Sequence, residues 1–350
     1  DYYNVFVGNT GERNIFTTLN RAVHSRKRRN VAHAYSPTSI NKYEKHLMEI
    51  LGNFVKRWDN LIAQSNDEYV RFDCLHWINL LAFDIIGDLA FGKSFGMVES
   101  GQDITELKLT PHGPPSFAPA VKALNMQGEY AGALGCLPQL IPYAKYLPFP
   151  SLRRAAFAGD NLLGIAAARV AQRLDGKCDP DRVDILSHLI KGKNLNDETI
   201  SYEELVSEAL SNMIAGSDTT SNTSCAILYW IIRTPKVHAR LKAELDAAIP
   251  SDVAIPTYAV VKELPYLYNV IREVLRVHSM LALGLPRMVP PGPGVTLYSH
   301  YFPPGTVLSV PSYTIHHSTT IWGENADEFI PERWENLTER QKSAFIPFSH

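Results

Sequence analysis

Apolar residues recur along most of this chain at spacings of three and four, the period of a helix with one buried face. Arg21 to Ala34 is a basic helix candidate, with His24 and Arg28 on one face and Arg26, Lys27 and Arg29 pointing elsewhere. Pro37 suits the first turn of a second helix, in which Tyr43, Leu47, Leu51, Phe54, Trp58, Leu61 and Ile62 repeat up to Gln64. Asp73 caps a third, carrying Ile78, Leu81, Ala82, Ile85, Ile86 and Leu89 and closed by Gly92 and Gly96. Ser100 to Pro119 reads as loop, and Pro138, Pro142, Pro148 and Pro150 break up the stretch before a helix from Leu152 to Leu174. A turn-rich Gly176–Asp181 connection leads to a short Val183–Lys191 helix. Val237, Leu241 and Leu245 mark another helix ending near Ile249, and Leu267–His278 turns Val270, Ile271, Val274 and Leu275 inward. Pro286 to Val310 is Pro- and Gly-rich, and β-prone runs at Val295–Tyr298 and Thr306–Val310 predict a small antiparallel sheet. The first twenty residues show turns around Gly8, Asn9 and Gly11 and little else. The class is mainly α with a minor antiparallel β part, in a single domain over 1–350.

One helix is unusually long. Ser201 and Glu204 form a capping-box signature at its start, and Pro235 stops it, so it spans Ser201–Thr234. At 1.5 Å per residue that is roughly 50 Å. Its middle, Ala215-Gly216-Ser217-Asp218-Thr219-Thr220, is a run of poor helix formers. Gly216 leaves room for something flat against the backbone, or simply for a second helix. Thr219 and Thr220 can turn their hydroxyls onto a carbonyl one turn back and bend the helix there.

Composition narrows the function classes. At 350 residues and 45% hydrophobic the chain can bury a large core, and 34 basic against 36 acidic residues give no field that would attract nucleic acid. Cys74, Cys136, Cys178 and Cys225 lack the spacing of a zinc site or a disulfide framework and suit a reducing compartment. No run of 18 or more apolar residues occurs. The chain opens at Asp1 and stops at His350 in mid-pattern, which reads as a piece of something longer.

Glu273 and Arg276, three apart on an apolar helix, can pair on one face, and Pro331-Glu332-Arg333-Trp334 supplies a third partner in Arg333. In order and spacing, AGSDTT in a long helix, Glu273-x-x-Arg276, PERW and the closing FIPFSH of Phe345–His350 resemble the cytochromes P450. The stretches HSRKRRNVAHAYS, VKALNMQGEYAGALGCLP and LGLPRMVP resemble the fungal subfamily that hydroxylates benzoate at the para position.

The resemblance implies the cytochrome P450 fold, incomplete at both ends, and a haem (iron protoporphyrin) cofactor. It implies that Ala215 and Gly216 let the long helix lie close over the haem, and that Asp218 and Thr219 manage protons while dioxygen is cleaved. His24, Arg28 and Arg287 match positions facing haem propionates, which arginine can hold through two hydrogen bonds. His316 matches a haem-edge contact, or is a loop histidine bonded to backbone. Glu273, Arg276 and Arg333 match a buried network that braces the ligand side. No residue of this chain is expected to bind the metal, because the thiolate cysteine would lie roughly five residues beyond His350 by motif spacing. Cys225 is then a packing residue, and this piece alone is expected to be inactive.

The expected reaction inserts one oxygen atom of O2 into a small aromatic acid, benzoate giving 4-hydroxybenzoate. Electrons would come from NADPH through a flavoprotein reductase docking on Arg26, Lys27 and Arg29. Asn212, Ser211 or the 1–20 segment could meet the substrate. An endoplasmic-reticulum location, facing the cytosol on an anchor outside this chain, follows from the same resemblance. A different apolar substrate, an isomerase or peroxygenase reaction, and a non-catalytic helical scaffold remain as alternatives.

Overall fold

The computed structural model describes residues 2–7, 11–65, 69–108, 114–176 and 182–348. The Gly8–Asn9 turn, Cys178, most of the Gly176–Asp181 connection and the last two residues of FIPFSH lie outside these. Read as one domain from sequence, the chain falls by packing into two compact units, Asp1–Ser221 and Asn222–His350. Each has its own core. The protein is mostly helical with small antiparallel sheets.

In the first unit, helix ends are set by side chains that occupy otherwise unpaired backbone groups. Asn20 accepts the Ala22 and Val23 N–H groups at 2.9 and 3.1 Å and opens Arg21–Ala32. Ser36 caps Pro37–Ala63. Asp73 caps Cys74–Phe91 through the His76 N–H at 3.2 Å, and Gly92 ends that helix in the left-handed region at φ 73°. Cys74–Phe91 has the length and hydropathy of a membrane span. It is instead largely a core helix: Leu80 and Phe83 are fully buried among Met97, Leu124, Leu162 and Ile165. Inside it the buried Asp84 accepts the Met97 and Val98 N–H groups at 3.1 and 2.8 Å.

Two sequence expectations fail in this unit. The Ser100–Pro119 segment is not all loop: Thr105–Leu107 pairs antiparallel with Ser116–Ala118, with Leu107 buried in the core. Leu107 lies under Gly164 of the Pro150–Leu174 helix, where an added Cβ would sit 3.0 Å from its Cδ1. The Ala120–Leu134 helix follows without having been expected, because three of its buried positions, Ala120, Ala123 and Ala131, are small and weaken the periodic signal. The prolines after it do break the chain, into a 3-10 segment over Pro138–Tyr146.

The second unit buries Val237, Leu241, Tyr266, Val270, Val274 and Phe329 between the helices Pro235–Ala248 and Pro265–Val277. Glu244 ties the two together, its carboxylate accepting the Tyr266 and Leu267 N–H groups at 2.8 Å each. The β part differs from expectation. Val295–Leu297 pairs not with 306–310 but with His300–Phe302, and Val307–Leu308 pairs with Arg287–Met288. The tight turn at Tyr298 and Ser299 has φ of 47° and 66°, as a two-residue hairpin demands, but without the glycine or asparagine that would have announced it.

The long helix is continuous over Tyr202–Arg233. Ser201 accepts the Glu204 N–H at 3.2 Å, half of a capping box. The Glu204 carboxylate does not return the bond, being committed to ion pairs elsewhere in the first unit.

Candidate functional site

The centre of the long helix carries hydroxyls that bond within the helix. Ser217 donates to the Met213 carbonyl at 2.6 Å, Thr219 to Ala215 at 2.8 Å and Ser221 to Asp218 at 3.1 Å. Ser217 and Ser221 are fully buried, whereas Ala215 and Thr219, one turn apart, are both exposed. Gly216 lies on another face. A Cβ there would fall 2.6 Å from Cδ1 and 2.9 Å from Cγ1 of Ile86, so the glycine brings the Cys74–Phe91 helix close. Of the two uses open to Gly216 from sequence, the structure displays helix packing. The accessible pair is Ala215 and Thr219.

In Arg21–Ala32 the charges divide in a way the sequence did not show. Arg26 and Lys27 are buried. Lys27 Nζ sits 2.7 Å from Glu204 and 2.9 Å from Glu208, and Arg26 reaches Glu204 at 2.8 Å. Glu208 also accepts the Ile15 N–H at 3.2 Å. Burial pushes the Glu208 carboxyl above its ordinary pKa, against the pull of Lys27. Arg26 and Lys27 therefore offer no charge for a docking partner, which corrects that expectation; Arg29 and Arg28 are exposed and His24 is half-buried. Asn212 is engaged too, donating to the Glu208 carbonyl at 2.9 Å and accepting from the Tyr35 hydroxyl.

The second unit brings Glu273, Arg276 and Arg333 together. Arg276 grips Glu273 with two bonds, Nε to Oε2 at 2.9 Å and Nη2 to Oε1 at 2.7 Å. Its remaining donors reach the carbonyls of His316, Ala326 and Glu328 at 2.7, 2.6 and 2.9 Å. Glu273 further accepts from the Ile330 N–H at 3.0 Å, Trp334 Nε1 at 2.9 Å and Arg333 Nε at 3.4 Å. Glu273 and Arg276 are both wholly buried, so this saturation is what makes them tolerable. Trp334 is a partner that spacing arguments missed, although it sits in the quoted PERW.

His316 is placed away from any open surface. It is fully buried, Nδ1 lies 2.6 Å from Ser279 Oγ, and Nε2 accepts the Ile346 N–H at 2.9 Å. Both ring nitrogens are thus occupied within the protein, and none is left for a carboxylate. Burial, with Arg276 and His317 nearby, drops its pKa from 6.5 to about 4.

A cavity of about 440 Å³ opens in the second unit, lined by Leu281, Leu285, Leu308, Val310, Ile346 and, at strand Arg287–Met288, Arg287. Leu281 is 50% and Val310 59% exposed, so this concave wall presents large apolar side chains together with a guanidinium. Those are the contacts a flat apolar macrocycle bearing carboxylates needs, and the residues present fit haem. Arg287 would hold a propionate there. In the first unit, Ala215 offers a small side chain and Thr219 a hydroxyl at an accessible helix position.

Comparison with known proteins follows the same direction. The family model for cytochrome P450 matches residues 3–350. The chain is 51% identical over its full length to benzoate 4-monooxygenase bphA of Aspergillus niger, of which it spans 69%. It is 29% identical to the cytochrome P450 monooxygenase ACRTS1 of Alternaria alternata, over 90% of this chain and 81% of that one. It is 28% identical to the cytochrome P450 monooxygenase mpaDE of Penicillium roqueforti, over 94% of this chain and 37% of that one.

Proposed function

The chain belongs to the cytochrome P450 family, and from that premise we propose that it serves in hydroxylating benzoate at the para carbon. The observation that carries the substrate is the 51% identity to a benzoate 4-monooxygenase along the whole of this chain. When bound, haem supplies the activation of dioxygen, one atom of which enters the ring while the other leaves as water.

The chain's own residues would hold the cofactor and deliver protons. Arg287, at the rim of the apolar cavity of the second unit, would neutralise a propionate, and His24 and Arg28 are candidates for the same role by the family resemblance. Thr219 would pass a proton at its Oγ1, which now donates to the Ala215 carbonyl at 2.8 Å and can turn to a water instead. Asp218, its neighbour, would replenish that proton. The buried Glu273–Arg276–Arg333 network would hold the ligand side rigid, with no part in the chemistry. Electrons would arrive from NADPH through a flavoprotein reductase at the cytosolic face of the endoplasmic reticulum.

Titrating the holoprotein with benzoate and following the haem spin state tests the substrate. A saturable shift with benzoate, and none with bulky or long-chain acids, is expected; no response to benzoate contradicts the assignment. Thr219→Ala should leave that shift intact, yet divert consumed oxygen from product to peroxide. Tight coupling in Thr219→Ala would remove Thr219 from the proton path.

A further inference from the structure

We propose that His316 is a positioning residue, which fastens the segment Phe345–Phe348 to the buried Glu273–Arg276 network through the backbone N–H of Ile346. The donor at one end of the ring fixes the tautomer. A backbone N–H can only donate, so Nε2, 2.9 Å from Ile346 N, carries no proton. The neutral ring then bears its proton on Nδ1 and donates to Ser279 Oγ at 2.6 Å. Ser279 in turn donates to a carbonyl at the end of the Pro265–Val277 helix, with Leu275 O and Arg276 O both at 3.2 Å.

The second attachment runs through the backbone of the same residue. His316's own carbonyl accepts from Arg276 Nη1 at 2.7 Å, so ring and backbone of one residue lead into the same ion network. Phe345 packs over the imidazole, ring centroids 5.7 Å apart, and against Trp334 at 4.5 Å, and Trp334 donates to Glu273 at 2.9 Å. The ring is wholly buried and stays neutral, its pKa lowered to about 4, so the acceptor at Nε2 persists at neutral pH. A protonated ring would face the Ile346 N–H with a second donor and lose the bond.

That the fastened segment leads to the haem ligand rests on the functional reading above; that it is fastened does not. Two substitutions separate positioning from bulk. Gln at 316 can present an amide oxygen where Nε2 stands, whereas Asn is too short and reaches only the Ser279 end. In reduced, carbon-monoxide-bound full-length holoprotein, H316N should lose the thiolate-haem band about tenfold faster on warming than H316Q, as expected when one half-buried donor goes unpaired. Equal behaviour of H316N and H316Q, or a slower loss in H316N, overturns the proposal.

Hydrogen exchange of the unsubstituted protein gives a reading that needs neither variant to fold. The Ile346 amide should exchange at least about tenfold more slowly than an unbonded amide. Exchange at the unprotected rate overturns the proposal whatever the haem does. An unsubstituted holoprotein with no thiolate band would instead count against the functional reading, and Ile346 exchange would still decide the role of His316.

Discussion

Each unit buries a cluster of charge, and the two are satisfied differently. In the second unit Glu273 and Arg276 stand three apart on one helix, and every side of the pair is met by a backbone carbonyl, a backbone N–H or an indole. In the first unit Lys27 is shared between Glu204 and Glu208, residues that reach it across 177 and 181 positions of sequence. That cluster is less complete: Arg26 Nε is buried with no hydrogen-bond partner, and Glu208 is held at a raised pKa by its burial. By the general cost of unmet buried polar groups, the second cluster should be the better satisfied of the two, through its full set of donors and acceptors more than through the number of opposite charges.

Removing the keystone of each cluster measures this. Arg276→Met leaves fully buried Glu273 with only the longer 3.4 Å Arg333 contact as counter-charge and should cost about 3–5 kcal/mol in denaturant unfolding, enough to abolish a folded holoprotein in many preparations. Lys27→Met strands Glu208 while Glu204 keeps Arg26 at 2.8 Å, so its cost should be lower, about 2–3 kcal/mol. Adding Glu208→Gln to Lys27→Met should recover part of the loss, while adding Glu273→Gln to Arg276→Met should recover little, because three carbonyls lose their donor as well. Equal recovery in the two double variants would break the contrast.

Two further effects sharpen it. Gly216→Ala forces a methyl against Ile86, where the contact would be 2.6 Å, and should cost about 1–3 kcal/mol with the charges untouched. An Ile86→Val background removes the nearest atom and should shrink that penalty. The last is a slope with pH. His316 titrates at about 4 when folded against an ordinary 6.5, so the unfolded chain binds the extra proton between those values. Stability should therefore rise with pH from about 4 to about 6.5 by at most about 1.4 kcal/mol per pH unit, then flatten, and H316Q should lose this slope.

How much of this was legible in the sequence follows the same division between local and distant. Pro37, Asp73, Gly92, Ser201 and Pro235 announce helix ends because capping chemistry acts within one turn. Glu273 and Arg276 are readable for the same reason. The partners of Lys27 are not, since nothing near Lys27 specifies two glutamates on another helix, and a run of five basic and polar residues looks like a solvated face. Strand pairing fails likewise: Val295–Leu297 meets the residues just beyond Tyr298 and Ser299, whose left-handed backbone carries no sequence signature here. Gly216 was marked as a special position, but which neighbour it admits, Ile86, depends on the approach of a second helix.

Central to the proposed function is that the Glu273–Arg276–Arg333 network braces the ligand side of a thiolate-bound haem. The reduced, carbon-monoxide-bound absorption spectrum of the full-length holoprotein tests it most directly. The expected result is the long-wavelength band of thiolate-ligated haem, lost in Arg276→Met and kept in Gly216→Ala. A folded protein that takes up no haem, or one whose spectrum lacks that band before any substitution, would contradict it.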